Sequence, residues 1–85
     1  MKNRARKSFL IQGIVQGVGF RPFIYKLACG NSLCGFVKND SNGVELEVEG
    51  SEENIRLFEE QLHLQLPPLA RIDSLTFKNI EPQNE

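Results

Sequence analysis

An α+β sandwich, one antiparallel sheet with two helices on a single face, is the fold class the sequence predicts, and three observations predict it. Two stretches with helical spacing of apolar residues, 22–33 and 52–64, each fall between stretches that read as strands. Val44, Leu46 and Val48 alternate with Glu45, Glu47 and Glu49, the pattern of a strand with one face buried. Directly before that strand stands Asp40-Ser41-Asn42-Gly43, a strong hairpin turn because Asn-Gly tolerates positive φ. Eighty-five residues suit one such domain with a single modest core.

Taken in order, residues 7–14 begin with alternation, Phe9 and Ile11 against Ser8 and Gln12, and read as the first strand. Pro22 suits the first position of a helix, because its locked φ is already helical. Phe23, Ile24, Leu27 and Ala28 give that helix its inner stripe, and Gly30-Asn31 supplies a stop. A second strand runs from Cys34 to Asn39 and meets the third, Val44 to Glu49, through the hairpin turn. Gly50-Ser51 breaks the third strand, and Ser51 can cap a helix over 52–64. Glu52 and Glu53 fall in its first turn, where the helix dipole favours negative charge, and Ile55, Phe58 and Leu62 form its inner stripe. Pro67-Pro68 ends that segment, and residues 71–80 give a last strand with Leu75 and Phe77 facing inward. The order βαββαβ is that of the ferredoxin-like sandwich. Its open sheet face would be wet, and the alternating glutamates are expected there.

Composition narrows the function classes. The formal net charge is −1, so no global field attracts nucleic acid or an anionic membrane. Lys2, Arg4, Arg6 and Lys7 cluster at the amino terminus, where a solvated end is expected, with residues 1–6 disordered. No apolar stretch follows them, so they do not open a secretory signal, and nothing approaches transmembrane length. Cys29 and Cys34 are the only cysteines and His63 the only histidine, far from both, so metal-ligand spacing is absent and no metal is expected. Both thiols are expected as small buried hydrophobes in a reducing, cytoplasmic setting. His63 falls beside the inner stripe of the second helix and is expected to be structural or solvated rather than catalytic.

The stretch Val15-Gln16-Gly17-Val18-Gly19-Phe20-Arg21 carries the chemistry. Two glycines adopt backbone angles closed to other residues and leave room for a ligand against the main chain. Consecutive N–H groups in such a turn can converge on an anion, close to the positive end of the helix that follows. Arg21 adds a permanently charged planar fork suited to phosphate or carboxylate. The loop lacks the Gly-Lys-Ser/Thr ending of a nucleotide P-loop, and Arg21-Pro22 stands where a dinucleotide fingerprint needs its third glycine. On spacing alone, a phosphate cradle and a plain strand-to-helix turn both remain open. The βαββαβ topology can bring the end of strand two near this loop, and Asn39 stands at that end. Its amide can orient a water molecule, or it can cap the hairpin turn.

Ile11 through Arg21, IQGIVQGVGFR, resembles the first acylphosphatase signature at every position that defines it. Gly35 through Gly43, GFVKNDSNG, resembles the second, so the two likenesses cover 20 residues. Arg21-Pro22-Phe23 and Pro67-Pro68-Leu69-Ala70-Arg71-Ile72-Asp73 are similar to the amino-terminal domain of the HypF family, large carbamoyltransferases of NiFe-hydrogenase maturation. The resemblance implies a parent protein that uses carbamoyl phosphate and ATP to build a thiocarboxamide on the partner HypE, a precursor of iron-bound cyanide. The chain stops where the further HypF domains would begin, so an isolated N-terminal module without the overall transferase reaction is expected, and a monomer.

By the same resemblance, Arg21 and the amides of Gln16, Gly17, Val18, Gly19 and Phe20 hold the phosphoryl oxygens, and Asn39 orients the attacking water. Such a reaction needs positioning and charge stabilisation rather than a strong nucleophile, because an acyl phosphate is already activated. No cofactor is implied. A phosphate or sulfate ion is expected to occupy the same loop. Two other functions compete: a module that captures carbamoyl phosphate without turning it over, and an RNA-recognition domain of the same topology. The last is disfavoured, since such domains expose aromatics on the central strands where this chain would expose glutamates.

Overall fold

A computed structural model describes residues 4–41 and 43–83. Over these the chain runs β1 (Arg4–Ile14), α1 (Phe20–Gly30), β2 (Cys34–Asp40), β3 (Gly43–Ser51), α2 (Glu52–Leu64) and β4 (Arg71–Ile80). The strands form one antiparallel sheet in the order β2-β3-β1-β4, so β1 and β3 are central and β2 lies at the flank beside β3. Phe9 and Ile11 of β1 and Val44, Leu46 and Val48 of β3 share one core with Ile24 and Leu27 of α1 and Ile55, Phe58 and Leu62 of α2. Alternation along the central strands therefore buries one face beneath both helices, the ferredoxin-like arrangement.

Local chemistry explains the helix ends. Ser51 Oγ accepts the backbone N–H of Asn54 at 3.1 Å, and Glu52 and Glu53 occupy the first turn of α2. In α1 the first helical residue is Phe20 rather than Pro22, because the Phe20 ring is buried in the core and meets Phe23 with centroids 5.9 Å apart. Pro22 thus falls in the first turn, where a missing N–H costs nothing. At its other end α1 stops at Gly30 with Asn31 as its C-cap, the stop expected within the 22–33 stretch. Ser32 turns left-handed, with φ 58°, and its N–H bonds Cys29 O while Leu33 N–H bonds Ala28 O at 2.9 Å. This Schellman closure, sealed by buried Leu33, ends the helix.

The amino terminus departs from expectation. β1 starts at Arg4, so residues 4–6 are strand rather than disordered, while Lys2 and the rest of residues 1–3 lie outside the described residues. Arg4, Arg6 and Lys7 are not simply solvated charges. Arg4 Nε lies 2.6 Å from Glu49 Oε2, Arg6 bridges Glu47 and Glu49 at 2.9 Å each, and Lys7 Nζ reaches Glu59 Oε2 at 2.6 Å. The glutamates of β3 are correspondingly not all wet: Glu49 is 0% exposed and Arg6 3%. Antiparallel register causes this, setting Arg6 opposite Glu49 on the sheet face away from the helices. Beyond β4, the Gln83 N–H donates to Glu49 Oε1 at 2.6 Å and adds cover. Hydrogen bonding to Glu49 holds the Arg4 guanidinium above its ordinary range, against a smaller opposing effect of burial.

Edge positions account for two further differences. Phe77 pairs with Phe9 and shares its face, yet remains 55% exposed because, among the described residues, β4 has no strand beyond it. Lys7 Nζ sits 4.3 Å from the Phe77 ring centroid and covers part of it. Cys29 is exposed on α1 and Cys34 only half-buried on edge strand β2, so neither is a core hydrophobe. The hairpin closes with Asp40 opposite Gly43, and Asn42 lies outside the described residues.

Candidate active site

The loop between β1 and α1 is shaped before it begins. A register shift at Gln12/Gly13 bends β1, and Gly13, at φ 143°, lies so close to β4 that a Cβ would sit 2.1 Å from Arg71 O. Val15 is buried and anchors the end of the strand; Phe20 is buried and anchors the start of the helix. Between them Gly17 and Gly19 are both left-handed, with φ 74° and 77°, which is why glycine stands at each. A Cβ built on either would meet nothing within 4 Å, so the outer surface of the loop is open to an approaching group. Gly19 is the N-cap of α1, and the first turn of that helix holds no acidic residue. The positive end of the helix is therefore uncompensated by side chains of its own first turn.

Arg21 projects from that turn and is exposed. Arg4, Arg6, Arg56 and Arg71 each pair with a carboxylate. Among the described residues Arg21 makes neither an ion pair nor a side-chain hydrogen bond. Its fork is left available, next to a helix start and two open glycines.

Asn39 lies at the second-to-last position of β2, paired with Val44. Alternation puts it on the helix side of the sheet with Val37, and Asp40 on the opposite side. Asn39 is exposed, and its side chain makes no hydrogen bond among the described residues, whereas a turn cap would bond the backbone. A residue from the loop makes the connection between the two segments. Gln16 Nε2 donates to Asp40 O at 3.2 Å and to Gly43 O at 3.0 Å. Loop and hairpin are thereby tied together, as the topology predicts. Only the backbone amide of Gln16 is left for an anion, a division of labour that spacing in the sequence does not reveal.

His63 is exposed on the last turn of α2. Among the described residues no three His, Cys, Asp or Glu side chains gather as metal ligands. Also among them, no helix is long and apolar enough to cross a membrane. A crystal grown with sulfate is expected to hold one anion in the loop of residues 16–21, within hydrogen-bond reach of Arg21. An empty loop at high sulfate, its amides pointing apart, would refute that expectation.

Fold and loop together define a ferredoxin-like domain with an open two-glycine turn at the start of its first helix. The Acylphosphatase family model matches residues 7–85, and the chain belongs to the acylphosphatase family. The acylphosphatase of Mannheimia succiniciproducens is 46% identical over 69 residues, 80% of this chain and 76% of that protein. The probable carbamoyltransferase HypF of Methanocaldococcus jannaschii is 52% identical over 71 residues, which is 84% of this chain but 9% of that protein. Among solved structures, full-length HypF in its phosphate- and nucleotide-bound form matches with a TM-score of 0.94 at 37% identity, covering 98% of this chain and 11% of that one. The chain thus spans about a tenth of the length of the HypF proteins it matches. It is an enzyme domain of acylphosphatase type.

Proposed function

We propose that the chain binds acyl phosphates in the loop of residues 16–21 and hydrolyses them by direct attack of water, with carbamoyl phosphate as the biological substrate. The observation that carries this is Arg21, an arginine without a carboxylate partner among the described residues, beside two open left-handed glycines at a helix start. The amides of residues 16–20 and the Arg21 guanidinium hold the phosphoryl oxygens as charge redistributes over them. Asn39 orients water toward phosphorus; a bond from the water oxygen to phosphorus forms while the bond to the acyl carboxylate breaks. A phosphate oxygen of the substrate takes the proton of the water, because Asp40 faces the other side of the sheet.

The identity with HypF proteins supports a second level of the proposal. There the chain is the amino-terminal module of a HypF-like carbamoyltransferase serving NiFe-hydrogenase maturation in the cytoplasm, with HypE as acceptor and the domain itself monomeric. A competing role rests on the likeness to HypF in its phosphate-bound form: the loop captures carbamoyl phosphate for other domains and free turnover is incidental. Phosphate release from benzoyl phosphate and carbamoyl phosphate, measured with equilibrium binding of phosphate, separates the two. Binding without turnover of either substrate leaves the capture role.

Asn39 gives the sharper test of the mechanism. Asn39→Ala is expected to lower kcat by about tenfold or more, since misplacing a reactant is costly, while inorganic phosphate binds nearly as before. An interaction made only with the reacting water contributes to the transition state and not to uniform ligand binding. Full kcat in a folded Asn39→Ala protein would reduce Asn39 to a turn residue.

A further inference from the structure

The side chain of Gln16 is turned away from anion binding. Its amide nitrogen spends both protons on the β2–β3 hairpin, donating to Asp40 O on one side of the turn and to Gly43 O on the other. The hairpin needs such a tie. The β1–β3 ladder ends at Ile11 opposite Val44, so Asp40 and Gly43 lie past the last strand pair that anchors β3 to the sheet centre. On that side the close approach of Gly43 to Ile11 O continues the contact, where a Cβ would sit 2.1 Å from that oxygen. Asn39 stands one residue before Asp40, at the base of the overhang, with no side-chain bond of its own among the described residues. Gln16 in turn directly precedes the left-handed Gly17 of the loop.

From this geometry we infer that Gln16 is a positioning residue, whose two hydrogen bonds fix the place of Asn39 relative to the anion loop. The inference rests on the acyl phosphate mechanism proposed above. It predicts a coupling that neither motif carries alone. Loss of the clamp leaves Arg21 and the loop amides in place, so phosphate is still held. The hairpin then samples orientations in which water is misaligned, and the loss falls on turnover.

Gln16→Met keeps the length of the side chain and removes both donors. The variant is expected to show kcat for benzoyl phosphate about tenfold lower, the scale of one net hydrogen bond, with the inhibition constant of inorganic phosphate unchanged within about twofold. Hydrogen exchange is expected to quicken at the amides of residues 39–44 and not across the rest of β1 and β3. The decisive measurement is the double variant. In an Asn39→Ala background, Gln16→Met is expected to change kcat by less than about twofold, because the residue it positions is gone. An unchanged kcat in Gln16→Met, or the same fold-loss with and without Asn39, would overturn the inference while leaving the acyl phosphate mechanism standing. Full kcat in Asn39→Ala would instead overturn the mechanism, and the clamp with it. If Gln16→Met does not fold, Gln16→Ala carries the same comparison, since Gln16 is exposed and outside the core.

Discussion

Arg21→Ala is expected to lose phosphate binding and to hydrolyse benzoyl phosphate on the order of 10² to 10³ more slowly, the usual consequence of removing one preorganised electrostatic donor. The fold should survive, because Arg21 is exposed and makes no ion pair or side-chain hydrogen bond among the described residues. Arg21→Lys is expected to recover little. A lysine ammonium is a compact charge on a flexible stem, and it cannot present two parallel donors to phosphate oxygens in a fixed plane. Kinetics and phosphate titration on the same folded protein check both points. Near-normal hydrolysis by folded Arg21→Ala would remove the phosphate cradle from consideration, whatever the loop glycines allow. The contrast with Asn39 is part of the test: Arg21→Ala should weaken binding and turnover together, Asn39→Ala turnover alone.

Glu49→Ala is expected to destabilise the domain by about 3 kcal/mol, the low end for breaking a buried ion pair by removing one partner. Among the described residues, Arg4 Nε, an Arg6 guanidinium nitrogen and the Gln83 backbone N–H lose their acceptor at once. The low end applies because Arg6 keeps Glu47 at 2.9 Å and the Arg4 side chain is 40% exposed, so water and a second carboxylate soften the loss. For a chain of this length the total stability is roughly 4–13 kcal/mol, so the change is a large part of it. Glu45→Ala is the control. Its partner Lys38 lies 3.7 Å away on the surface, and exposed pairs contribute about 0–1 kcal/mol. Urea unfolding with an unchanged slope should therefore separate two glutamates that stand four residues apart on one strand. Equal effects at the two positions would show that the Arg4–Arg6–Glu49 cluster is worth no more than a surface contact.

Most of the architecture was legible because local rules decide it. Helix α2 forms over the expected residues since Ser51, the two leading glutamates and the Ile55, Phe58, Leu62 stripe all lie within one stretch. The alternation of β3 and the turn before it set the hairpin, and strand order then follows from the topology. Element ends were less legible. Phe20 pulls the start of α1 back by packing into a core that no local window contains, whereas the stop at Gly30-Asn31 lay in the sequence and only the left-handed Ser32 beyond it did not.

For the candidate site, Gly17, Gly19, Arg21 and Asn39 stand out in the sequence by residue type and by likeness to two acylphosphatase signatures. Family membership follows from the chain itself, over residues 7–85. Other features belong to the tertiary structure alone. Glu45, Glu47 and Glu49 are equivalent by pattern, yet only the register of β1 against β3 sets Arg6 against Glu49 and buries both. Gln16 reads as one more loop amide until folding brings the carbonyls of Asp40 and Gly43 to its side chain, from 24 and 27 positions along the chain. The division has one physical cause. Periodicity, turn angles and caps depend on neighbours within a few residues, whereas the burial of a charge and the reach of a hydrogen bond depend on which distant strands become adjacent.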